Sequence, residues 1–315
     1  MQQTNGARRF GWTSIRKTLL RVLRSWQLYL LIAPATIYYA IFHFWPIYGL
    51  QIAFRDYKAK LGITGSAWVG LKHFERFVNG TNFTRLLSNT LSISLTNLIL
   101  GFPIPILLAL TINELRGRRY KRIVQTVSYA PHFISTVVMV SILQIFLNTD
   151  TGIINKLLSM LSVGPFNFLG TGKWFSAIYV ISGIWQSMGW NSIVFLSALS
   201  GIDPALTEAA MVDGATRFQR IIHVNLPTIL PTVVIMFILK AGNIMDVGYE
   251  KAYLLQNQLN LEYSEIISTY VYKIGLINTQ FSFSAAVGLF NSVINVILML
   301  SVNWISKKIS DVGLL

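Results

Sequence analysis

Six apolar stretches, each near the roughly 20 residues that a helix needs to cross a bilayer core, are separated by polar connectors. They run over about 28–48, 89–112, 124–147, 175–199, 229–247 and 283–305. The second is the most polar, with Ser92, Ser94, Thr96 and Asn97 inside it. Pro34, Pro103, Pro105 and Pro131 fall within or at the ends of these stretches. Such prolines are tolerated in membranes where neighbouring helices satisfy the freed carbonyls. The pattern predicts an all-α membrane protein with six transmembrane helices. It divides the chain into a basic segment at 1–27, a six-helix domain at 28–305 with a long loop at 200–228, and a short tail at 306–315. No internal repeat or low-complexity region stands out, and no appended regulatory domain is expected.

Composition agrees with a membrane chain. Hydrophobic residues make up 53% and charged residues only 12%, about half the share of roughly 25% usual in soluble domains. The mean hydropathy is +0.54. Such a chain is too apolar to be disordered. With no cysteine, thiolate metal sites, disulfide scaffolds and cysteine nucleophiles are excluded. The four histidines, His43, His73, His132 and His223, are scattered without ligand spacing, so no metal site is expected.

The net charge of +14 reports topology first. Arg8, Arg9, Arg16, Lys17, Arg21 and Arg24 precede the first span. That span is too long for a signal h-region, so it is expected to be retained. Arg116, Arg118, Arg119, Lys121 and Arg122 fill the short connector after span two, Arg217 and Arg220 lie after span four, and Lys307 and Lys308 follow span six. These fifteen basic residues face ten on the opposite side, which are spread over longer loops among most of the acids. The denser side is expected to be cytoplasmic, with both termini inside, and no nucleic acid is expected as a partner.

The 200–228 loop carries more information than a connector needs. Asp203 can cap a helix N-terminus and Pro204 suits its first position. Ala205 to Val212 is then a short helix, and Gly214 can adopt the left-handed conformation that ends it. Thr216 and Gln219 have capping-box spacing for a second helix. That helix is expected to run to about Asn225, with Pro227 breaking it before span five. Two short helices on a glycine turn are shaped to enter a groove on a partner, and the same local chemistry equally suits a structured loop without one.

The residues of this loop resemble a known signature. Glu208-Ala209-Ala210, then Asp213-Gly214-Ala215, then Ile222, Leu226-Pro227 and Pro231 match the EAA loop of ABC importer permeases at every anchor position. The whole chain is similar to the carbohydrate-uptake branch of type I importers, in particular to permeases labelled polysaccharide or lipoprotein transport permeases. Trp26-Gln27-Leu28-Tyr29, Pro46-Ile47-Tyr48-Gly49 and the run from Gly288 to Asn295 share in that likeness. The resemblance implies a coupling helix seated in a cleft of a cytoplasmic ATPase. Glu208 would meet a basic residue there, Ala209 and Ala210 would allow close packing, and Gly214 would make the turn. It further implies a second homologous, non-identical permease, two ATPase subunits, an extracytoplasmic solute-binding protein, and residence in the bacterial inner membrane. The chain has no G-x-x-x-x-G-K-[ST] loop. No cofactor is expected on it, ATP and Mg belong on the ATPase subunits, and no catalytic residue is expected.

Intramembrane polar residues are the candidates for a substrate pathway. Lys240 falls near the middle of the fifth apolar stretch, with Asn243 on the same helix face and Asp246 expected to point elsewhere. Lys240 either snorkels or pairs with a partner subunit, or it lines the path of an anionic sugar. In span four, Trp185, Gln186, Trp190 and Asn191 combine aromatic faces with amides, as sugar sites do, although tryptophans also favour membrane interfaces. Asn291 and Asn295 in span six suit interhelical hydrogen bonds. The expected cargo is a carbohydrate of oligosaccharide size, acidic if Lys240 lines the path. A peptide or polyol permease is the near alternative. A membrane-embedded glycosyltransferase is the distant one, and it would need convergent acids that this chain lacks.

Overall fold

A computed structural model describes residues 25–115 and 117–310. The basic residues at positions 8, 9, 16, 17, 21, 24 and 116 and the end of the 306–315 tail therefore lie outside the described residues.

The architecture is helical, apart from a small antiparallel hairpin. Helix α1 (Trp26–Tyr39) continues through a π-turn and a 3-10 segment to Phe54. It buries none of its own residues against the rest of the chain. Strands β1 (Arg55–Lys58) and β2 (Ser66–Trp68) then pair, with Arg55 opposite Trp68. The chain is thus not wholly α-helical. This hairpin is short, and its aromatic and basic side chains stack, Phe54 on Trp68 and the Arg55 guanidinium over the same indole.

Helices α2 (Phe83–Gly101) and α3 (Pro103–Asn113) form the second apolar rod, with Pro103 at a first-turn position where its missing N–H costs nothing. The third apolar stretch is not one helix. Helix α4 (Arg118–Tyr129) passes through a 3-10 turn at Ala130–Phe133, and α5 (Thr136–Phe146) leaves at 96° to it. Pro131 and an extended Ile134 end the first piece, and Ser135 caps the second by accepting from Val138 N. Helix α6 (Phe175–Ser200) matches the fourth stretch, and α7 (Pro204–Val212) turns away from it by 76°.

The fifth stretch also departs from expectation. Helix α8 (Arg217–Arg220) runs through a π-turn at Ile221–Asn225 directly into α9 (Leu226–Gly242). Pro227 does not break the rod. The wide turn places it in the first turn of α9, where no N–H is required, and Thr228 donates its hydroxyl to the Val224 carbonyl at 2.7 Å. At its other end α9 stops at Gly242, five residues short of the expected limit. After α10 (Tyr249–Leu255) and α11 (Ile267–Tyr272), α12 (Phe281–Ser310) forms the sixth rod. Among the described residues, four rods are long and apolar enough to cross a membrane, and up to six if each bent pair is one span.

Three buried clusters hold these rods together. One, including Phe195, Leu199, Ile106 and Ile229, joins α3, α6 and α9 near the 200–228 loop. The other two lie at the far end. Phe175, Val180, Ala252 and Ile266 pack α6 against α10, and Leu86, Met245, Phe283 and Val287 pack α2 against α12. There Glu265 accepts from Arg85 at 2.6 Å and from Lys273 at 3.2 Å, which fastens the segment before α11 to α2.

Candidate functional site

The 200–228 loop folds as its local chemistry dictates. The Asp203 carboxylate accepts from Ala205 N at 2.9 Å, and Pro204 opens α7. Gly214 turns the chain at φ +78°, a left-handed value that disfavours any side chain. Thr216 and Gln219 form a reciprocal capping box, with Thr216 N donating to Gln219 Oε1 at 2.7 Å and Gln219 N donating to Thr216 Oγ1 at 3.3 Å. Each contact spans three residues or fewer, so the sequence alone suffices to predict it.

Helix α7 has no buried residue. Glu208, Ala209, Asp213 and Gly214 are exposed, and Val212 is 88% exposed. Leu206, Met211 and Phe218 of the same loop are exposed as well, so it displays several large apolar side chains, as contact surfaces do. The loop's base is anchored by a residue that the sequence reading did not single out. Glu114, just past α3, accepts from Arg220 Nη2 at 3.1 Å and from Asn225 Nδ2 at 3.2 Å. Both charged side chains are mostly buried, at 14% and 16% exposed. Glu114 and Arg220 are 106 positions apart, which is why spacing gave no hint of the pair.

The second candidate site is a polar cavity inside the bundle. It consists of two adjoining spaces of about 310 and 280 Å³ that share Asn97, Tyr179 and Lys240. Among the expected pathway residues, Gln186, Asn191, Lys240 and Asn243 line it. Lys240 sits in the last turn of α9 rather than mid-helix. Because α9 ends at Gly242, the following turn carries Asp246 back into the same cavity instead of away from it. That turn is held from α12. Asn295 accepts from Met245 N at 2.9 Å, and Asn291 donates to Asp246 at 3.2 Å.

The tryptophans are placed elsewhere. Trp190 stacks on His132 at 4.5 Å, against the break between α4 and α5. Trp185 lines a separate, wholly apolar cavity with Met139 and Phe146. Gln186 also serves the break, donating to the Ile134 carbonyl at 2.7 Å. That carbonyl is freed where the helix stops, and in a membrane it must find a donor.

Sequence reading missed Lys251. It belongs to α10, outside the apolar stretches, yet it is only 8% exposed. Its Nζ donates to the Tyr179 carbonyl at 2.9 Å and lies 4.8 Å from the centre of the Tyr179 ring. Loss of hydration pushes its ammonium down to about 8. Lys251 thus enters the cavity from one side and Lys240 from another. Among the described residues neither lysine has an ion pair.

Comparison with known proteins places this arrangement. The profile of the binding-protein-dependent transport system inner membrane component matches residues 101–311. The polygalacturonan/rhamnogalacturonan transport system permease protein YteP of Bacillus subtilis is 43% identical over 95% of this chain and 93% of its own. Protein LplB of the same organism is 43% identical over 92% of each chain. A chain of the bacterial alginate ABC transporter, solved in complex with an alginate pentasaccharide-bound periplasmic protein, superposes with a TM-score of 0.86 at 39% identity. That likeness covers 93% of this chain and 98% of the other. With two thirds of its length matched by the family profile and nearly all of it by close relatives, the chain belongs to the family of inner membrane components of binding-protein-dependent transport systems.

Proposed function

We propose that this chain is a permease subunit of an ATP-driven importer that carries an oligosaccharide, acidic in character, across the bacterial inner membrane. It crosses six times with both ends in the cytoplasm, in keeping with its basic connectors. It pairs with a second, non-identical permease, works with two ATPase subunits, and receives its sugar from an extracytoplasmic binding protein. The chain itself catalyses nothing, and ATP with Mg resides on the ATPase subunits.

The observation that carries this reading is the capped, exposed helix α7 on its left-handed glycine turn, with the loop clamped to the bundle at its base. A helix so displayed can transmit a push or pull from a partner into α6 and α9, between which it is strung. The sugar class is supported by relatives named for polygalacturonan and rhamnogalacturonan and by the alginate transporter. In this reading Glu208 contacts a basic residue of the ATPase, Ala209 and Ala210 permit its close approach, and Asp213, Ala215, Leu226 and Pro227 shape the loop around the turn.

The test is purification of the tagged chain from native membranes beside Glu208→Lys and Gly214→Asp. A P-loop ATPase and a second six-span protein should co-purify with wild type, and the variants should lose the ATPase alone. If the chain emerges without partners, or the variants retain the ATPase in full, the importer reading fails.

A further inference from the structure

The cavity between α2, α6, α9 and α10 presents two ammonium groups and a wall of amides, with Asp246 as the one carboxylate on it. Asp246 accepts from the Asn291 amide, and its one negative charge stands against two positive ones. Lys251 is buried and Lys240 half-buried, and a cation held out of water is favoured where an anion can reach it. An ammonium has three protons to donate, and Lys251 Nζ has one protein acceptor, the Tyr179 carbonyl. Space is kept open around it. A Cβ at Gly183 would come within 3.3 Å of Nζ. Asn97, Asn191 and Asn243 add neutral groups able to meet hydroxyls on the same ligand. Each of the two spaces is at the small end of ligand-pocket sizes, which suits a single carboxylated sugar unit rather than a whole oligomer.

We propose that Lys240 and Lys251 together form a carboxylate-binding station within the membrane cavity, where the permease favours uronic-acid units over neutral sugars. The station rests on the reading of the chain as an oligosaccharide importer and adds the site and the chemistry of selection. Lys251 reaches it from outside the membrane spans, so the two cations approach one carboxylate from different elements. Tyr179 lines both spaces and fixes Lys251 through its carbonyl and ring.

The test uses the whole complex, purified in nanodiscs without its binding protein. Binding is measured for galacturonate and alginate trimers and for their methyl esters, which keep the shape and remove the charge. Variants are Lys240→Met, Lys251→Met, their combination, and Lys251→Arg. Each Met variant should weaken binding of an acidic trimer about tenfold or more and the pair further still, while the esters bind all proteins alike. Lys251→Arg should keep most of the preference. If Lys251→Met does not assemble, Lys240→Met and Lys251→Arg still decide the matter. Equal losses for acid and ester, or no loss for either, would overturn the station and leave the importer reading standing. If wild type binds none of the trimers in either form, the station falls, while the importer reading is still decided by whether the ATPase and second permease co-purify.

Discussion

Glu114→Ala should release the base of the 200–228 loop. In the native fold the carboxylate accepts one hydrogen bond from Arg220 and one from Asn225. Its removal strands a guanidinium whose side chain is only 14% exposed and whose Nε already lacks a partner. Breaking a fully buried pair from one side costs about 3–5 kcal/mol, and the partial exposure here reduces that to about 2–3 kcal/mol. Since every 1.4 kcal/mol is tenfold, the loop's docked population should fall relative to the undocked by roughly 30- to 140-fold. The chain has no cysteine, so a spin label at Val212→Cys reports on α7 alone. Its spectrum in nanodiscs should gain a mobile component in Glu114→Ala, and ATPase affinity in a titrated pull-down should drop in parallel. Adding Arg220→Met removes the stranded charge and should restore most of the docking, short of about 1 kcal/mol for the unpaired Asn225 amide. An unchanged spectrum in Glu114→Ala, or no recovery in the double variant, would refute the reasoning.

Three further outcomes are expected. Gly214→Ala should cost about 1–2 kcal/mol locally through its left-handed backbone, and Gly214→Asn should cost less. Paired thermal melts and ATPase pull-downs separate that strain from a loss of contact. Gly189→Ala should lower thermal stability by about 1–3 kcal/mol, because a Cβ there would overlap the Ser128 carbonyl where α6 crosses α4; a melting temperature equal to wild type would refute that close approach. Asn295→Leu should leave the buried Met245 N–H without its acceptor, at about 1–3 kcal/mol. Hydrogen exchange should then quicken in the 243–248 turn before it does anywhere in α12.

What the sequence determined is what neighbours along the chain can settle between themselves. The caps at Asp203, Thr216 and Gln219 and the turn at Gly214 involve groups at most three residues apart, so spacing and residue type suffice. The apolar rods follow likewise from length and hydropathy, since a bilayer rewards any sufficiently long apolar helix. The tertiary structure decided everything that needed a distant partner. The break between α4 and α5 persists because Gln186, 52 positions away, satisfies the carbonyl it frees. Asp246 shares a cavity with Lys240 because α9 stops early and Asn291 and Asn295 of α12 hold the turn that follows. Lys251 reads as an ordinary loop lysine until the Tyr179 carbonyl, 72 positions earlier, draws it into the cavity. A buried polar group must find its partner wherever the fold supplies one, and local spacing cannot identify a partner a hundred residues away.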